Sequence, residues 1–195
     1  AVRLSSFVVI PMLLGLFAVA DTLVLALLGQ QWMVCVPFLR IMCISYCFWP
    51  VHIANLQAIN AVGRSDIFLK LEIIKKALSL VALAVGMQFD VMVFVSLKAV
   101  QDFLCTFVNG APNRKLLGYS IARQWRDVAP AAVLSAVMCG LVMAAGGSLL
   151  WLPVWPRLAV QILWGIAVYT ALAWVFRLKS FRYLWELAVK RRQGN

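Results

Sequence analysis

Lys98, Gln101, Asp102, Cys105 and Asn109 recur at i, i+3, i+4, i+7 and i+11, a spacing that puts all five on one face of a helix. The run that carries them is otherwise apolar. A lysine in mid-membrane costs roughly 2.5 to 3.5 kcal/mol on insertion scales, so it needs a partner or a use. Asp102, one turn on, is the obvious partner. Two roles stay open for the pair: an ion pair that locks this helix against its neighbours, or a site for an anionic ligand or a coupling ion. A second stripe, Glu72, Lys75, Lys76 and Ser79, repeats the i, i+3, i+4, i+7 pattern, and Glu72 can pair with either lysine. Lys70 reaches the headgroups easily by snorkelling. Lys75 and Lys76 lie deeper and fit a water-filled cavity better.

A third polar face joins Ser45, Trp49, His52 and Asn55, beside a bend expected at Pro50. His52 either satisfies a local hydrogen bond or touches a ligand. Arg40 and Asp21 sit near segment ends, where an interfacial role competes with substrate contact for Arg40 and ion coupling for Asp21. Cys35, Cys43, Cys47, Cys105 and Cys139 form no CxxC pair and His52 is the only histidine, so no metal is expected and the thiols read as small hydrophobes. The sequence has no GxSxG, HExxH, Walker A or Rossmann fingerprint, and no soluble loop large enough to assemble catalysis. An enzyme is not expected, and neither is a cofactor.

The elements that position these faces are membrane helices. Of the 195 residues 64% are hydrophobic and 13% charged, and a crossing takes about 20 mostly apolar residues. Six segments qualify or nearly do: Leu4 to Leu28, Val36 to Ile59, Ile67 to Met87, Val91 to Val108, Ala129 to Ala145 and Leu158 to Phe176. The class is therefore all-α, a polytopic membrane protein. Net charge +11 does not imply nucleic acid, because the basic residues cluster in alternate connections. GQQWMVC, MQFD and GGSLLWLPVWPR hold only Arg157, whereas NAVGRSDIFLK, NGAPNRKLLGYSIARQWRD and the tail are rich in Lys and Arg. That alternation predicts a cytoplasmic location for both ends of the chain. The first segment carries Pro11, Gly15, Ala18 and Thr22 on one face, which suits close packing. The last two segments have few polar residues beyond Ser135, Gln161, Tyr169 and Thr170, so they read as lipid-facing and peripheral.

The run PFLRIMCISYCFWPVHIANLQAINAVGRSDIFLKLEIIKKALSL, Pro37 to Leu80, resembles the oligosaccharide flippases of bacterial polysaccharide biosynthesis, the Wzx-type branch of the MATE-like exporter superfamily. NLQAINAVGRSD followed by FLKLEIIKK is its specific part. VIPMLLGLFAVADTLVLALLGQQW, Val9 to Trp32, resembles the helix and outer loop that precede it there, and the likeness continues more loosely through NRKLLGYSIARQWRDVAP. The resemblance implies a bundle of two six-helix lobes around a cavity. On that mapping residues 1–110 are four helices of the second lobe, 111–128 a basic cytoplasmic loop, 129–177 two added peripheral helices and 178–195 a basic tail lying on lipid headgroups.

With no initiator Met at AVRLSSFVV and no first lobe, the sequence reads as the C-terminal portion of a longer chain. The resemblance further implies transfer of an undecaprenyl-pyrophosphate-linked oligosaccharide to the outer leaflet of the bacterial inner membrane, without ATP hydrolysis. Its partners would be membrane lipids, the N-terminal half of the full-length protein, and polysaccharide polymerase and glycosyltransferases. Lys75, Lys76 and Lys98, with Arg40, His52 and Asn55, are then the substrate candidates, and Asp102, Glu72 and Asp21 the ion-coupling ones. Export of a small cationic drug and a non-transporting membrane scaffold are the rival readings.

Overall fold

The computed structural model describes residues 2–117 and 120–176, and every regular element among them is helical. These are α1 (Val2–Leu27), α2 (Val36–Tyr46), α3 (Trp49–Ala61), α4 (Ser65–Gly86), α5 (Val91–Leu117), α6 (Ile121–Ser148) and α7 (Val154–Val175), with a short 3-10 helix over Gln30–Cys35. Five stretches are long and apolar enough to cross a membrane: α1, Gln30–Ala61 taken together, Val91–Asn113 of α5, α6 and α7. The chain is a multi-pass membrane protein of the all-α class. Six crossings were expected. The sixth candidate, α4, has 22 residues and thus the length, but its first half holds Asp66, Lys70, Glu72, Lys75 and Lys76. The tail 178–195 lies outside the described residues.

Prolines and glycines shape the elements. The expected bend at Pro50 is a full break, because Pro50 cannot donate to the carbonyl of Tyr46; the chain ends α2 there, turns through Cys47 and Phe48, and restarts as α3. Gly63 ends α3 at φ 75°, with the amides of Gly63 and Arg64 closing on the carbonyls of Asn60 (3.0 Å) and Ile59 (3.3 Å), a Schellman arrangement. Arg64 is the N-cap residue of α4 without a side-chain cap bond, and its guanidinium grips Asp66 through two contacts of 2.9 Å instead. That fork holds the Asp66 carboxyl down at about 2.

The segment read as a basic loop, 111–128, is mostly helix. Pro112 does not stop α5, which runs to Leu117, and Ser120 caps α6 by accepting from the amide of Arg123 at 3.4 Å.

Apolar packing centres on α1. Its longest contact is with α6, and α7 packs against both. Phe7, Ala18, Val19, Leu134, Met138, Val142, Leu158, Tyr169 and Ala173 form the main apolar cluster. The last two helices are therefore part of the principal core, although their outer faces, with Leu163, Ile166 and Trp174, stay exposed. Pro11 leaves the carbonyl of Phe7 without its helical donor, and the Tyr169 hydroxyl fills that role at 2.8 Å. Polar packing centres on α5, which meets α2, α3 and α4.

Candidate functional site

The stripe on α5 faces three other helices and forms one polar seam with them. Lys98 Nζ donates to Asp102 Oδ1 at 2.7 Å, and Ser45 Oγ, from α2, donates to Oδ2 at 2.8 Å. A carboxylate with a cationic donor on one oxygen and a hydroxyl on the other is well satisfied in a low-dielectric setting. The pair is not sealed: the side chains keep 45% and 31% of their exposure, so a ligand or water can reach both.

Next to it, His52 on α3 sets Nε2 3.0 Å from the main-chain carbonyl of Asp102 and Nδ1 2.8 Å from Asn109 Nδ2. Thr106 Oγ1 lies 3.2 Å from Nε2. One turn further along both helices, Asn113 Nδ2 donates to Asn55 Oδ1 at 2.7 Å, and Asn55 Nδ2 donates to Gln124 Oε1 of α6 at 2.8 Å. All three amides are buried.

On the opposite flank α4 and α5 meet antiparallel. Gln101 Nε2 donates to Ser79 Oγ at 2.7 Å and contacts the carbonyl of Lys75 at 3.4 Å. Lys75 is ion-paired to Glu72 one turn back, with 18% and 32% of the side chains exposed. Gly86 makes this approach possible, because a Cβ there would lie 2.5 Å from the ring of Phe94 and 3.2 Å from its Cα.

Seven of the nine sequence-derived candidates belong to this region: Lys75, Glu72, Lys98, Asp102, His52 and Asn55 are tied in by the bonds above, and Lys76 follows Lys75 on α4. Lys76 is exposed and makes no ion pair among the described residues. The other two stand apart and hold each other. Arg40 Nη2 pairs with Asp21 Oδ2 at 2.6 Å, with the guanidinium 5.4 Å from the centre of the Phe17 ring. Read singly as interfacial residues, they are a tie between α2 and α1.

Thr106, Asn113 and Gln124 belong to the seam and were not singled out from the sequence. The signal was there for the first two, since 102, 106, 109 and 113 continue the α5 stripe. Trp125 packs its ring among Phe48, Phe103 and Phe107 with centroids 5.9 to 6.3 Å apart. No three of His, Cys, Asp and Glu converge as metal ligands among the described residues.

Chemically, the seam holds two lysine–carboxylate pairs, one imidazole and a row of amides, contributed by α3, α4, α5 and α6 and gathered around α5. Such a set can exchange partners: an anion entering at the lysines releases a carboxylate, and a cation entering at a carboxylate releases a lysine.

A family model described as polysaccharide biosynthesis protein matches residues 1–37. The match supports a link to polysaccharide synthesis or transport over that short stretch, which is α1, the turn after it and the start of α2. It ends where the Pro37 to Leu80 run begins. No curated protein and no solved structure matches the chain.

Proposed function

We propose that this bundle belongs to a flippase that carries an undecaprenyl-pyrophosphate-linked oligosaccharide from the inner to the outer leaflet of a bacterial inner membrane. It acts as a transporter by alternating access and does no chemistry on the sugar. The observation that supports this reading best is the seam, in which Lys98–Asp102 and Lys75–Glu72 sit part-exposed on the adjoining helices α5 and α4. A lysine kept inside such a bundle is expected to have a use.

In this mechanism the pyrophosphate takes Lys75 and Lys98 from their carboxylates, with Lys76 adding a further positive charge beside them. Asp102 and Glu72, now free, take the coupling cation. His52, Asn55 and the other amides line the route for sugar hydroxyls. Arg40 and Asp21 keep a positioning role, since each already satisfies the other. The end of the bundle that carries Arg64, Arg123 and Arg126 is cytoplasmic by its Lys/Arg excess. The match of residues 1–37 supports the class of cargo. Polysaccharide polymerase and glycosyltransferases are the expected neighbours in the pathway. A small cationic drug is a poorer fit to a seam that offers it lysines.

The experiment is a leaflet assay on the full-length gene product with a lipid-linked oligosaccharide. Lys75→Ala and Lys98→Ala should each slow translocation roughly ten- to hundredfold, the worth of one charged hydrogen bond to the phosphate. Normal rates in both variants at normal expression would exclude the phosphate role.

A further inference from the structure

The groups around His52 determine where its protons sit. Nε2 faces the main-chain carbonyl of Asp102, an oxygen that can only accept, and the Thr106 hydroxyl, which donates its own hydrogen to that carbonyl at 3.3 Å, so Nε2 carries the hydrogen of the neutral ring. Nδ1 is then the lone-pair nitrogen, and Asn109 meets it with Nδ2 at 2.8 Å. That choice turns the other end of the amide away. Asn109 is fully buried, and its Oδ1 has no hydrogen-bond partner among the described residues. The amide oxygens of Gln101, Asn113 and Gln161 are likewise without a partner among the described residues, so what sets Asn109 apart is that its unused acceptor belongs to the amide that meets the imidazole lone pair.

We infer that His52 Nδ1 is a proton-binding site whose occupancy is controlled by the side-chain amide of Asn109. Hydronium delivers the proton to Nδ1 and leaves as water, and Asn109 makes a half-turn about Cβ–Cγ so that Oδ1 accepts from the new N–H. Loss of the proton reverses the turn. In each state one end of the amide lacks a partner: the acceptor when the ring is neutral, the donor when it is charged. Neither state is fully satisfied, so neither is locked.

The charged groups that act on the ring are Asp102 and Lys98 of α5 and Lys75 of α4, with Glu72 paired to Lys75. α5 also brings the Cys105 thiol to the same cluster of charges. α2 faces the seam with Ser45 and α6 with Gln124. An imidazolium at this point adds a positive charge beside the Lys98–Asp102 pair and competes with Lys98 for Asp102. The proton site stands on this geometry alone; its use as the coupling step rests on the translocation reading.

Among these 195 residues His52 is the only histidine, and the imidazole signal lost on His52→Gln assigns it in the full-length protein. The test is nitrogen NMR of the full-length gene product, labelled at histidine, made without a polyhistidine tag and held in lipid nanodiscs. The expected spectrum is the Nε2–H tautomer near about pH 8, passing to imidazolium on acidification. Asn109→Leu, which removes the acceptor, should lower the imidazolium fraction at the wild-type midpoint at least about threefold, and Asn109→Asp should raise it. An Nδ1–H tautomer at high pH, a ring that does not titrate, or equal imidazolium fractions in the three proteins would overturn the site. If Asn109→Leu does not fold, the wild-type tautomer and Asn109→Asp still decide. A proton site confirmed by NMR together with translocation indifferent to pH would leave the site standing and remove only its coupling role.

Discussion

At the residue scale, the contact between Tyr169 and the carbonyl of Phe7 repairs a defect that Pro11 creates. In hydrocarbon no water can take over for a missing donor, so Tyr169→Phe should cost about 1 kcal/mol of stability in a detergent unfolding titration. The same change made on top of Pro11→Ala should cost close to nothing, because an alanine amide restores the helical bond. Equal losses in both backgrounds would mean that the hydroxyl contributes in some other way. The tie could not be read beforehand, since it joins residues 7 and 169. Ion pairs within one helix were legible for the opposite reason: 98 with 102 and 72 with 75 follow from helical spacing alone. Arg40 with Asp21, and His52 with Asn109, depend on which helices end up as neighbours, and hydropathy carries no information about that.

At the element scale, the α4–α5 hairpin depends on Gly86. Its would-be Cβ overlaps the Phe94 ring and crowds backbone that cannot yield, so Gly86→Ala should splay the hairpin and destabilise it by about 1 to 3 kcal/mol. A disulfide between Ser79→Cys and Gln101→Cys reports the splay. Its yield should fall sharply in the alanine variant, and an unchanged yield would show that the ring simply moves aside. Apolar run length made the helices legible. Helix ends were less so. The run NGAPNRK looked like a loop because its hydropathy drops and Pro112 interrupts it, yet a proline in mid-helix removes one donor and need not end the helix when neighbours hold both halves. That misreading kept Asn113 and Gln124 out of the expected site.

At the scale of the whole molecule, two kinds of packing divide the bundle: an apolar core of α1, α6 and α7, and a polar seam of α5 with α2, α3 and α4. Contacts between Arg3 and Asp127, and among Asn55, Asn113 and Gln124, gather the start of α1, the ends of α3 and α5 and the start of α6 at one end of the bundle. Arg64, Arg123 and Arg126 lie at that same end, so a single orientation serves all of them. A Ser65→Cys variant lacking the native cysteines should react with an impermeant maleimide only after the inner membrane is opened. Labelling in intact spheroplasts would reverse the proposed orientation.

Both lysines of the seam are paired within their own helices, at i,i+3 and i,i+4. Each pair can therefore close while the nascent helix is still leaving the insertion machinery, before any neighbouring helix has arrived. Biogenesis of α5 does not require a bare lysine to wait in lipid for a partner, and the charges reach their final depth already neutralised.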